Sequence, residues 1–177
     1  MTNQKYALSS RIIHWFMAIL ILGILAVGIY MTQFLPKDSP NHLQIYELHK
    51  SFGVIALVFI FIRVINRLIF KAPKLPQSMP RIEQILGHLG HLGLYVLMLI
   101  VPLSGYLMSN SFGFVVKFFS AELPLLISTD FERGKIFAAI HELGAYALLA
   151  LIVVHILAVI KHRFFDKPEN DVLKRMI

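Results

Sequence analysis

Between Arg11 and Lys37 the chain carries no charged side chain. A run of that length matches the roughly 20 apolar residues that a helix needs to cross the hydrocarbon core of a bilayer. It is too long for the apolar part of a secretory signal and lacks a small-residue cleavage site. Inside lipid the backbone must satisfy its own polar groups, which leaves only helices and closed barrels. The rest of the chain reads the same way: 57% of its 177 residues are hydrophobic and only 15% are charged. Mean hydropathy is +0.70, which leaves too little polar surface for a water-soluble protein of this size.

Three further segments are apolar enough to follow the first. The expected helices cover about 12–34, 43–70, 85–110 and 136–163, within one transmembrane unit over residues 1–177. The second segment carries Glu47, Lys50, Arg63 and Arg67, and only 51–62 is free of charge. Its charges sit near the ends, where long side chains reach the interface. The fold class expected is an all-α integral membrane four-helix bundle with both termini cytoplasmic. On that topology the inner side holds Lys5, Arg11, Arg63, Arg67, Lys71, Lys74, Arg81, Lys161, Arg163, Lys167, Lys174 and Arg175. The outer side holds only Lys37, Lys50, Lys117, Arg133 and Lys135. This bias is the positive-inside pattern, so the +7 net charge reflects topology rather than nucleic-acid binding. The outer loop, roughly 117–135, has room for a short interfacial helix.

With no cysteine in the chain, disulfides, iron–sulfur clusters, thiolate zinc sites and covalent c-type haem are excluded. Eight histidines remain, and an ionisable residue within a span is a functional candidate by default. Their depths are informative. Segment one enters from inside, so His14 lies near the inner face; segment two runs inward, so His49 lies near the outer face. On segment four, His141 and His155 are 14 residues apart. That is about 21 Å and almost four whole turns, so both project from one stripe at two depths.

The chain therefore offers two pairs, His49 with His141 and His14 with His155, at two levels. Facing imidazoles of this kind hold haem b in a bundle and leave the iron six-coordinate, suited to electron transfer. Gly53 and Gly144 lie on their ligands' faces, where a flat macrocycle needs room. Arg63, 14 residues beyond His49, is placed to pair with a haem propionate or a quinone oxygen; Arg11 and Arg67 read more simply as interface anchors. His162 lies two turns beyond His155, where it could exchange a proton at a quinone site. His88 and His91 compete with His14 and His155 for the inner iron, or hydrogen-bond nearby. His42 receives no role.

Taken together, these stretches resemble the bacterial cytochrome b561 family, relatives of the cytochrome b subunits of membrane hydrogenases and formate dehydrogenases. The likeness rests on Arg11-Ile12-Ile13-His14-Trp15, on His49-Lys50-Ser51-Phe52-Gly53, and on His88-Leu89-Gly90-His91 followed by Pro102-Leu103-Ser104-Gly105-Tyr106. It continues through His141-Glu142-Leu143 with Tyr146, then His155, His162 and the tail Asp171-Val172-Leu173-Lys174-Arg175-Met176. The resemblance implies a four-helix bundle with two haems b in the bacterial inner membrane. Its ligand pattern assigns His14 with His155 and His49 with His141, and sets His88 and His91 aside.

Two functions follow from the resemblance. One relative oxidises superoxide on the periplasmic side and reduces ubiquinone; others dock on dehydrogenase or hydrogenase subunits as electron conduits. The five outer bases face Asp38, Glu47, Glu122, Asp130, Glu132 and Glu142. No strong outer field for a small anion results, unless Lys50, Lys117 and Lys135 gather near the outer pair. Chain length favours the self-sufficient superoxide:ubiquinone oxidoreductase, while the short loops leave room for the alternative, a redox partner protein docked outside. A metal transporter or simple anchor does not explain why the histidines pair at two depths.

Overall fold

The computed structural model describes residues 5–177. Four long helices carry it: α1 (Leu8–Gln33), α2 (His42–Ile69), α3 (Arg81–Ser111) and α4 (Phe131–Phe164). All four are long and apolar enough to cross a membrane, with only 6–17% of the most apolar stretch of each buried inside the protein. The remaining surface, including Ile19, Leu68, Leu89 and Leu143, faces outward. Such a surface is stable only against lipid.

The helices extend past their apolar stretches at several ends. α1 begins at Leu8, α3 at Arg81 and α4 at Phe131, each about one turn earlier than hydropathy suggests. Polar end turns account for this. Asp130 accepts the Arg133 backbone N–H at 3.0 Å as an N-cap, and Glu132 lies in the first turn. Lys161, His162 and Arg163 occupy the last turn, so both ends of α4 carry charges that suit the helix dipole. Pro36 follows α1 and Pro80 precedes α3, positions that interrupt a helix cleanly.

The bundle is two hairpins, α1 on α2 and α3 on α4, with α2 against α3. The α3–α4 seam is the closest. A Cβ on Gly93 would fall 2.9 Å from Leu151 Cδ2, and one on Gly144 would fall 3.1 Å from Val101 Cγ2, the small-residue packing that drives helix association in lipid. Met17, Ile21, Ile60, Leu94, Val101 and Leu148 form one buried cluster joining all four helices. By contrast, α4 makes at most marginal backbone approach to α1 and to α2. They meet through side chains, Leu148 among them.

Both chain ends lie at one end of the bundle, here the terminal end. The Tyr6 N–H donates to the Arg175 carbonyl at 3.1 Å, and Trp15 Nε1 donates to Met176 O at 3.0 Å. Two 3₁₀ turns, Pro168–Asn170 and Leu173–Arg175, fold the tail across this end. Asn170 Oδ1 accepts from Ser78 Oγ at 2.6 Å, and Arg175 donates to the Lys74 carbonyl at 2.8 Å. Asp171 pairs with Arg163.

At the opposite end the connection between α3 and α4 is a small β-hairpin, β1 (Lys117–Phe118) with β2 (Ala121–Glu122). The interfacial helix expected there is absent. Ser51, 1% exposed, fixes the hairpin instead: its hydroxyl accepts the Phe119 N–H at 2.8 Å and lies 3.1 Å from the Lys117 carbonyl. Phe119 turns the chain at φ 54°, a backbone region unusual for a bulky residue. That local geometry overrides any helical tendency.

Candidate functional site

Four of the histidines meet where α4 faces α1 and α2. His141 and His155 project there from α4, as the spacing requires. At the hairpin end the ring centres of His49 and His141 are 6.2 Å apart, and at the terminal end those of His14 and His155 are 6.4 Å apart. The structure thus brings together both pairs expected from depth.

These separations suit a metal held between each pair. A metal–imidazole bond runs about 2 Å, and the ring centre lies about 1.1 Å beyond the nitrogen, so two imidazoles on opposite sides of one iron have centres about 6.3 Å apart. Both pairs come within 0.1 Å of that value. The donor set is right as well: imidazole nitrogens, which ligate haem iron.

Proton positions distinguish the two pairs. At the hairpin end, His141 Nδ1 lies 2.8 Å from the Val101 carbonyl. A carbonyl only accepts, so Nδ1 holds the proton and Nε2 keeps its lone pair for a metal. His49 faces the Ile24 carbonyl, with no well-formed hydrogen bond at its buried Nδ1. Two glycines clear space here. A Cβ on Gly105 would lie 2.8 Å from His141 Cε1, and one on Gly28 would lie 3.2 Å from His49 Cε1.

At the terminal end, Arg63 is at the expected level, but its contact is with a histidine. Its Nη2 lies 3.1 Å from His14 Nδ1. Guanidinium only donates, so Nδ1 is the acceptor and a neutral His14 carries its proton on Nε2. Arg63 must release Nδ1 before Nε2 can bind a metal. The guanidinium also lies over the Tyr95 ring at 5.6 Å, and its buried Nε has no partner. That free donor fits an anionic group such as a propionate. Arg67 rests over the Tyr6 ring at 6.0 Å.

Other expected residues fall elsewhere. Gly53 has open space around it, whereas Gly144 backs onto Val101 of α3; it is a packing glycine because its face meets α3. His162 is buried in an ionic cluster. Its Nδ1 donates to Asp166 at 2.9 Å, and Nε2 lies 3.7 Å from Glu83. Lys161 bridges the same carboxylates, 2.5 Å from Glu83 and 3.7 Å from Asp166. Hydrogen bonds from Asn170, His162 and the Lys167 N–H hold the Asp166 carboxyl well below the usual carboxylate range. His42 stacks on Tyr46. The three lysines that could have formed a positive patch at the hairpin end have partners of their own: Lys117 pairs with Glu47 at 3.3 Å, Lys135 pairs with Glu132 at 2.8 Å, and Lys50 lies over the Phe114 ring.

Gly28 and Gly105 are the site residues that sequence reasoning missed; an isolated glycine in an apolar helix carries no sign of what its neighbour helix presents. His91 was set aside, yet its ring lies 5.6 Å from that of His155.

Fold and site together define a four-helix membrane bundle that brings two pairs of imidazoles together at two depths. The model of prokaryotic cytochrome b561 matches residues 5–177. The chain is 32% identical to cytochrome b561 homolog 2 of Escherichia coli (strain K12), over 99% of this chain and 93% of that one. It is 24% identical to cytochrome b561 homolog 1 of the same organism, over 98% and 97%. It is 26% identical to a probable superoxide oxidase of Yersinia pestis, again over 98% and 97%. The chain belongs to the prokaryotic cytochrome b561 family. It is accordingly a bacterial membrane haem protein of electron transfer.

Proposed function

We propose that the chain holds two non-covalent haems b, one between His49 and His141 and one between His14 and His155, and moves electrons across the bacterial inner membrane with its terminal end in the cytoplasm. The observation that carries this reading is the pair of ring separations, 6.2 and 6.4 Å. The charge bias of the loops supports the orientation. Bound haem b supplies iron that accepts and gives up one electron at a time. The chain holds the two positions about 21 Å apart along α4, and the surrounding apolar side chains keep water away from them. Arg63 supplies positive charge beside the inner position.

The preferred donor and acceptor are superoxide and ubiquinone. Each superoxide loses one electron at the outer face and leaves as dioxygen. Ubiquinone takes two electrons and two protons at the inner face to become ubiquinol. His162, already hydrogen-bonded to Asp166, is placed to pass protons there. The likeness to a probable superoxide oxidase supports this. The ion-paired Lys117 and Lys135 favour a second reading: with little free positive charge to attract an anion, the outer face would receive electrons from a docked redox protein.

Stopped-flow mixing of the oxidised protein with superoxide separates the two. Haem reduction that outruns superoxide's own dismutation, followed by ubiquinol formation, supports the oxidase. No reduction on that timescale leaves the conduit.

A further inference from the structure

The two histidine levels are unequal in number. Among the described residues the hairpin end presents two imidazoles in ring contact between α2 and α4, His49 and His141. At the terminal end two rings approach that of His155: His14 at 6.4 Å and His91 at 5.6 Å. His91 comes from α3, a different helix from His14, and the residue is exposed rather than packed into the core. One ring nitrogen faces the Gly87 carbonyl one turn back. A nitrogen that donates there leaves the other nitrogen its lone pair. His14 is in the opposite condition, because Arg63 donates to its Nδ1 at 3.1 Å and leaves the proton on Nε2. Of the two, His91 is the better prepared to bind a metal.

The separations also permit exchange. An iron between His91 and His155 needs ring centres about 6.3 Å apart, against the 5.6 Å present. The opening required is a fraction of an ångström, within what a rotamer adjustment supplies. Arg63 and Arg67 both act electrostatically on His91, so an anionic group drawn to those guanidinium groups would sit beside it as well.

We propose that His91 is a reserve axial ligand of the inner haem, able to bind the iron opposite His155 when His14 is missing or held by Arg63. This rests on the two-haem reading above. The chain would then tolerate loss of one inner ligand but no outer one.

The test is haem stoichiometry with low-temperature EPR on purified full-length variants. The wild type should hold two low-spin haems and H49A one, which checks the underlying reading independently. With those in hand, H14A should keep two haems, the inner one still six-coordinate and low-spin with a changed g-tensor. H91A should also keep two, and H14A/H91A only one. An inner haem that is lost or becomes high-spin in H14A overturns the proposal, with the retained outer haem showing that the bundle has folded. If H14A does not accumulate, H14F fills the same helix face and carries the same expectation: two low-spin haems support the reserve ligand, and one overturns it.

Discussion

The two ends of this bundle solve the same problem with different means. At the hairpin end backbone confines the imidazoles, one by a hydrogen bond and both by close glycines. His141 is tied to the Val101 carbonyl, and Gly105 and Gly28 let the helices close to within contact of the rings. At the terminal end the imidazoles are surrounded by movable charge: Arg63 on His14, His91 beside His155, and the tail laid across the helix ends. A backbone carbonyl stays in place, so the outer pair is pre-organised for one use. An arginine and a spare imidazole can exchange partners, so the inner pair is adaptable. On the proposed function, pre-organisation suits a site that only passes electrons, and adaptability suits one where electrons meet protons and a quinone.

The comparison breaks most directly at His141. H141A should remove the outer haem and leave the inner one, halving haem per chain in a pyridine haemochrome assay; retention of both would end the pairing. G105A comes next. Its Cβ would stand 2.8 Å from His141 Cε1, and overpacking of this kind typically costs about 1–3 kcal/mol. Weakened outer haem retention on dilution is expected, with the inner haem unchanged. G28A, at 3.2 Å from His49, should show a milder form of the same defect.

R63Q sharpens the other side of the comparison. Removing a positive charge beside the inner iron should lower that haem's midpoint potential by on the order of tens of millivolts and leave the outer one in place. Redox titration at two wavelengths reads both. The smallest effect concerns the tail. The Asp166 carboxyl is held low by Asn170, His162 and the Lys167 N–H, so its contribution is complete above the unfolded value near pH 4 and is lost as pH falls below it. Trp15, the sole tryptophan, donates to Met176 in that tail. Its fluorescence should change on acidification below about pH 4, and D166N should abolish the change.

Much of this was legible in the sequence because the controlling variables are one-dimensional. Hydropathy marks each span, and the 14-residue interval between His141 and His155 puts two donors on one stripe whatever the neighbours do. The level of Arg63 follows from the same count. What escaped depends on which helices touch. Gly144 reads as a haem-facing glycine until α3 is found against it at Val101. The hairpin over Ser51 is held by two hydrogen bonds to a residue 66 and 68 positions away, and no local periodicity encodes that. The pairing of Lys117 with Glu47 is likewise a product of the hairpin's position.

The account stands on two iron positions per chain, each clamped by two imidazoles. Haem quantitation per polypeptide, with EPR of the oxidised wild-type protein in the same sample, addresses it in one measurement. Two haems per chain with two low-spin signals are expected. A single haem, or a high-spin signal from an intact sample, would contradict it.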